Sequence, residues 1–250
     1  MQENTNGISR MHAITISREY GSGGGEVATR LTSRLGWQLV DHEVVVRVAQ
    51  ELGVTEADAE AHDERVESLV SRFLSSLQAI EPMMPAIPPV PLTTDANAYH
   101  EARRRVIEAA VAQGHVIIVG RGAQVLLANR RDVLHARIVA PLEMRINYVM
   151  RREGLDQEAA RARIQAKDRD RVRYLVTQHN KHPEDAHLYD IVINTSIIDL
   201  DGVVDLLYLA LEHKAMRLSI PTGELGPATG MTRYPHQPGD FLPPQRVSEP

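Results

Sequence analysis

The 250-residue sequence contains no cysteine. That excludes disulfides, thiol nucleophiles and cysteine-ligated zinc. Lysine is nearly as scarce: Lys167, Lys181 and Lys214 stand among 28 basic residues, so almost every cationic contact must come from arginine. Aromatic residues make up 4%, too few for the stacking surfaces of single-strand nucleic-acid binders. A formal charge of −5 argues in the same direction, so nucleic acid is not expected as a partner. No run of about 18 apolar residues is present, and no membrane association is expected. Met1–Arg10 is too polar to read as a signal peptide, which leaves a cytoplasmic location as the expectation. The histidines show no metal-ligand spacing, so no metal ligands are assigned.

What is present is an alternation of short apolar runs with helical spacing. Residues 12–17 read as a buried strand after a polar tail (1–11), and Val27, Leu31 and Leu35 mark a helix from Glu26 closed by Gly36. Further strands are expected at 37–40, 115–119, 133–139 and 190–194. Helices are expected at 43–52, 56–79, 97–113, from Gly122 to about Asn129, 141–152, 156–175 and 199–216. Five prolines between Glu81 and Thr94 predict an extended linker or flap. Residues 217–250, with seven prolines and four glycines, predict a tail with little regular structure. Strand–helix alternation implies a parallel sheet covered on both faces. Ligands of such sheets bind beyond the carboxyl ends of the strands, which selects Arg18–Gly25, Asp41, Gly120–Gly122 and Asn194-Thr195.

The most suggestive strand end is REYGSGGGE (18–26). A glycine-rich strand-to-helix turn lets backbone amides converge on an anion, aided by about half a positive charge at the helix N-terminus. The alternative is a merely tight turn. Aligned on the phosphate-loop pattern G-x-x-x-x-G-K-[ST], Arg18 falls at the first glycine and Gly23 at the second. Gly24 then takes the lysine position and Gly25 the hydroxyl position. The loop therefore lacks its usual charge and metal ligand.

IVGRGA (118–123), HARIVAPLEMRINYVMRR (135–152) and LVDHEVVVR (39–47) are similar to segments of bacterial cytidylate kinases. Together SREYGSGG, DHEV, VGRGA, KDRDR and YDIVINTS resemble the cytidylate-kinase-like family, a divergent branch of the P-loop nucleoside monophosphate kinases, over roughly residues 12–212. The resemblance implies a three-layer α/β/α P-loop kinase-like fold with a parallel sheet, a helical lid and a helical substrate-binding insertion, occupying residues 12–216. It implies ATP and Mg²⁺ as cofactors, and small-molecule nucleotides as partners. A homo-oligomer is left open. Arg18, Gly21, Ser22, Gly23, Gly24, Gly25 and Glu26 would hold the nucleotide. Asp41, Arg47, Gly120 and Arg121 would hold the substrate, with a helix N-cap as the alternative for Asp41. Residues 161–173 carry six cationic side chains against two carboxylates. As a lid they would supply Lys167, Arg169 and Arg171 to the phosphates, oriented by Asp168; the alternative is an exposed helix laced with ion pairs. One departure stands out: the family's Gly-Arg-Asp is Gly-Arg-Gly here (120–122).

The expected function is transfer of phosphate from ATP to CMP, dCMP or a related small acceptor. Arg18 or a lid cation would replace the missing lysine. A non-catalytic nucleotide-binding regulatory module and a kinase of a different small molecule are the alternatives.

Overall fold

Five apolar segments become the strands β1 (Ala13–Arg18), β2 (Gln38–Val40), β3 (Val116–Val119), β4 (Val133–Val139) and β5 (Ile191–Asn194). They form one parallel sheet in the order β2-β3-β1-β4-β5. The computed structural model describes residues 5–41 and 96–226. Around the sheet lie α1 (Thr5–Ile8), α2 (Gly24–Leu35), α3 (Ala96–Gln113), α4 (Ala123–Leu126), α5 (Leu142–Glu153), α6 (Gln157–His179) and α7 (Leu200–Met216). The chain divides into residues 1–216 and 217–250; of the second unit, the described residues hold one 3-10 turn at Thr222–Glu224. Among the described residues no helix is long and apolar enough to cross a membrane.

Alternation along β1 sends successive side chains to opposite faces. Ala13, Thr15 and Ser17 share a face with Val133, His135 and Arg137 of β4, their register partners. This face is covered by α3 and α4, where Val106, Ile107, Ala110, Ala123 and Leu127 form one core with Ala13, Val116 and Ile118. Arg18 and Ile138 form the next register pair, on the other face, against the start of α2. A separate small core of Ile146, Val149, Ala160 and Ile164 joins α5 to α6, with Tyr20 of the glycine loop packed against it.

Several expectations are corrected. Residues 5–8 of the supposed tail are helical, and Ile8 and Met11 are buried. The helix after the loop begins at Gly24 rather than Glu26. The helix after Gly122 ends at Leu126. The segment at 190–194 is an edge strand with Val192 exposed, rather than a buried one. The basic helix runs on to His179, where Asn180 takes the left-handed conformation. The predicted helices at 43–52 and 56–79, the proline-rich segment 81–94, Arg47 and the tail beyond 226 lie outside the described residues.

The polar pair inside the sheet has a measurable consequence. Thr15 Oγ1 and His135 Nδ1 are 2.8 Å apart in the interior. Burial pushes the His135 imidazole down to about 4 from 6.5, with Asp190 opposing and Lys214 reinforcing the shift. Between those values the unfolded chain binds a proton that the folded chain refuses. Stability from this source is therefore complete above pH 6.5 and falls as the pH drops towards 4. Urea unfolding across that window is expected to show a shallower loss in His135→Gln than in the parent. An equally steep loss in both would assign the effect to other groups.

Candidate active site

The loop between β1 and α2 turns tightly and ends on the amides that open a helix. Gly21 and Gly23 take φ of +83° and +80°, and a Cβ on Gly23 would lie 2.7 Å from Leu200 Cδ2. Gly23 caps α2 without a side-chain hydrogen bond, so the amides of Gly24, Gly25 and Glu26 open the helix with no intrahelical acceptor. Ser22 instead turns inward: its Oγ donates to the carbonyls of Glu19 (2.9 Å) and Ile138 (3.1 Å). The Glu26 carboxylate is engaged by Arg30 Nη2 (2.6 Å), Arg152 Nη1 (3.2 Å) and the Tyr148 hydroxyl (3.3 Å), and the Arg30 hydrogen bond holds it below the usual carboxylate range. What Glu26 offers a ligand is its amide.

A cleft of about 790 Å³ opens over the carboxyl ends of β1, β3 and β4, within the usual range for small-molecule sites. Arg18, Arg121, Arg137, Arg145, Lys167 and Arg171 all line it. Burial, then the nearby Arg171 and Arg121, lowers the Arg18 guanidinium to about 9; Asp41 partly offsets this. Arginine keeps its proton in proteins, so the shift reports the cost of burying this guanidinium, with Arg171 and Arg121 adding repulsion and Asp41 relieving part of it. Arg171 is pushed down as well, first by burial.

The Gly120-Arg121-Gly122 turn is strained by design, with three successive positive φ values of +79°, +61° and +68°. A non-glycine residue in this region costs roughly 1–2 kcal/mol and such strain concentrates at functional sites. The missing Cβ of Gly120 makes room for the Arg18 guanidinium. The Tyr174 hydroxyl donates to Arg121 O at 3.3 Å.

Helix α6 covers the cleft, and Asp168 ties it to the loop. Its carboxylate accepts from Tyr20 N (2.8 Å), Arg145 Nη1 (2.5 Å) and Arg171 Nη1 (3.2 Å). Arg171 Nη1 also donates to Arg18 O at 3.3 Å. Lys167 and Arg171 line the cleft. Arg169 does not: it is exposed and lines a separate groove between α5 and α6 with Leu142, Val172 and Val176. Two further cations follow the ion-pair alternative, Arg161 bonding Glu143 and Arg163 bonding Glu153, each at 2.6 Å.

Arg18, Gly120, Arg121, Lys167, Asp168 and Arg171 thus line one cleft beside the glycine loop, and Asp41 lies near enough to Arg18 to act on its charge. Sequence reasoning missed Arg137, Arg145 and Tyr174. Arg137 had a signal, since an arginine inside the apolar strand HARIV needs a polar destination. Arg145 had none, because its partners Tyr20 O and Asp168 are brought to it by tertiary packing.

The sequence model of the Cytidylate kinase-like family matches residues 13–197. The chain belongs to this family. A cytidylate kinase from Thermococcus kodakarensis is 26% identical over 214 residues, 85% of this chain and 92% of that protein. Another, from Methanopyrus kandleri, is 35% identical over 120 residues, 45% of this chain and 62% of that protein. That match and two similar ones span less than two thirds of the relatives' lengths. A solved structure of an uncharacterized protein from Eubacterium ventriosum aligns over 80% of this chain and 98% of its own, with TM-score 0.60 and 21% identity, a likeness of fold. Membership and the parallel sheet together give the three-layer α/β/α P-loop kinase-like fold.

For a member of this family, two of the three local departures sit where a side chain would meet a neighbour. A Cβ on Gly24 would lie 2.7 Å from Arg18 Cβ, so a lysine there and the present Arg18 exclude each other. A Cβ on Gly122 would lie 2.6 Å from His179 Nε2 at the end of α6, so the His179 ring would have to move, and the φ of +68° itself disfavours the aspartate of Gly-Arg-Asp. Gly25 has nothing within 4 Å of its would-be Cβ, so no clash explains the missing hydroxyl.

Proposed function

We propose that this chain is an ATP-dependent, nucleoside monophosphate kinase-like phosphotransferase with CMP or dCMP as acceptor, in which Arg18 supplies the charge that a loop lysine gives in ordinary phosphate loops. The observation that carries this reading is the Arg18 stem packed where the side chain of residue 24 would begin. The α2 amides and Arg18 would hold the donor phosphates, and bound ATP supplies the phosphoryl group. Arg121 and Asp41 would position the acceptor, while Lys167 and Arg171 neutralise charge and exclude water. The loop's side chains do not fit a protein-held magnesium ion: Ser22 Oγ is committed to carbonyls and Gly25 carries no side-chain oxygen. No step is therefore assigned to a metal.

Purified protein incubated with ATP, Mg²⁺ and a panel of nucleoside monophosphates is expected to convert CMP or dCMP to the diphosphate. Retained nucleotide binding without turnover would overturn the kinase reading in favour of a regulatory module. Within the same assay Arg121→Asn, which tolerates positive φ but removes the guanidinium, is expected to raise the acceptor KM about 10–100-fold. An unchanged KM would remove Arg121 from the acceptor site.

A further inference from the structure

Arg137 has no place in the function described above, yet it is among the most buried charges in the molecule. It sits in the middle of the sheet on β4, is 7% exposed, and lines the cleft. Its Nη1 donates to Ser17 Oγ at 3.2 Å, and its guanidinium lies 5.7 Å from the centre of the Tyr189 ring. The Tyr189 hydroxyl donates to Pro183 O at 2.9 Å and lies 3.2 Å from Ser17 Oγ, fixing both neighbours. No carboxylate among the described residues pairs with Arg137, whereas Arg145, also facing the cleft, has Asp168 and Glu19. Arg171, another cation, lies near enough for the two charges to repel. A buried guanidinium held only by a hydroxyl and a ring is poorly compensated, because buried charges ordinarily find a counter-ion.

The sheet's parity says where that counter-ion would come from. Ser17 and Arg137 point to the α3 and α4 face, whereas the Arg18 stem starts on the α2 face carrying the loop amides and its guanidinium reaches over to Gly120. The cleft that Arg137 lines is also bordered by Gly120, Arg121, Gly122 and Gln124. We infer that Arg137 is an acceptor-binding residue, which, with Arg121, takes the phosphomonoester dianion of the acceptor on the opposite side of β1 from the donor phosphates. Ser17 and Tyr189 are its positioning residues. This rests on the kinase reading and extends it, because a deeply buried second arginine selects acceptors that already carry a phosphate over neutral alcohols.

The test pairs Arg137→Met, which keeps the side-chain length, with Arg137→Lys, which keeps the charge. CMP and inorganic phosphate probe the acceptor side, and ATP probes the donor side. In the wild-type protein all three ligands are expected to raise the melting temperature. In Arg137→Met the CMP and phosphate affinities are expected to fall about 10–100-fold, with ATP affinity within twofold; Arg137→Lys should lie between. The ligand-free melting temperature of Arg137→Met should equal or exceed the parent's, since an uncompensated charge has gone. A lower melting temperature with unchanged CMP affinity would make Arg137 a structural arginine capped by Tyr189. An equal loss for ATP and CMP would overturn its assignment to the acceptor side. If wild-type protein binds ATP but neither CMP nor phosphate, this inference falls while donor binding survives; if it binds none of them, the kinase reading falls first. Should Arg137→Met fail to fold, Arg137→Lys still decides through its CMP-to-ATP affinity ratio.

Discussion

Replacing Arg18 by alanine is expected to lower kcat for phosphoryl transfer by about 10²–10³-fold, the scale for removing one preorganised charge from a water-excluded site. The same substitution is expected to raise the melting temperature of the ligand-free protein. Both effects have one cause. Arg18 is desolvated and crowded by Arg121 and Arg171, so its charge is unfavourable until an anion arrives. Removing it relieves the empty site and weakens the filled one. The neighbouring cations cannot readily take over: Arg171 is tied to Asp168 and to Arg18 O, and Lys167 is exposed. Steady-state kinetics and thermal melting, with and without ATP, check the two effects together. Normal turnover in the variant would remove Arg18 from the mechanism.

Asp168→Ala is expected to cost about 1–3 kcal/mol of folding stability and to reduce turnover at the same time. The carboxylate serves a backbone N–H of the glycine loop and two arginines. Its removal strands the Tyr20 amide and leaves Arg145, which is largely buried, with Glu19 at 3.6 Å as its remaining carboxylate. Leaving buried donors unpaired is costly, although the carboxylate's partial exposure moderates the loss. Urea unfolding measures it. A loss below about 0.5 kcal/mol would mark an ordinary surface pair and would contradict the anchoring of α6 to the loop. Because one side chain joins α6 to the loop, Asp168→Asn should retain part of both stability and activity.

Much of the fold could be read from local pattern. The runs at 12–17, 115–119 and 133–139 gave strands because they are apolar, bounded and short, and the rule that parallel sheets bind ligands at strand ends located Arg18, Asp41 and Gly120–Gly122. Features governed by distant neighbours were not legible. Helix α6 outran its expected end because no glycine or proline stands between residue 175 and Asn180, which supplies the left-handed cap instead. Arg169 looked equivalent to Lys167 and Arg171 in composition, yet helical rotation points it into the groove beside α5. The glycines at 24 and 122 read as lost chemistry. Their meaning emerges only with Arg18 and His179 in place, because each occupies the space a side chain would need.

The relocated charge can be tested by moving it back. Turnover of ATP with CMP would be measured for Arg18→Gly, for Gly24→Lys and for the double variant. Gly24→Lys alone collides with the Arg18 stem, and Arg18→Gly alone lacks the cation. The double variant clears the space and restores the usual arrangement, so its turnover is expected to exceed that of either single variant. Wild-type turnover in Arg18→Gly, or a double variant no better than the singles, would contradict the account.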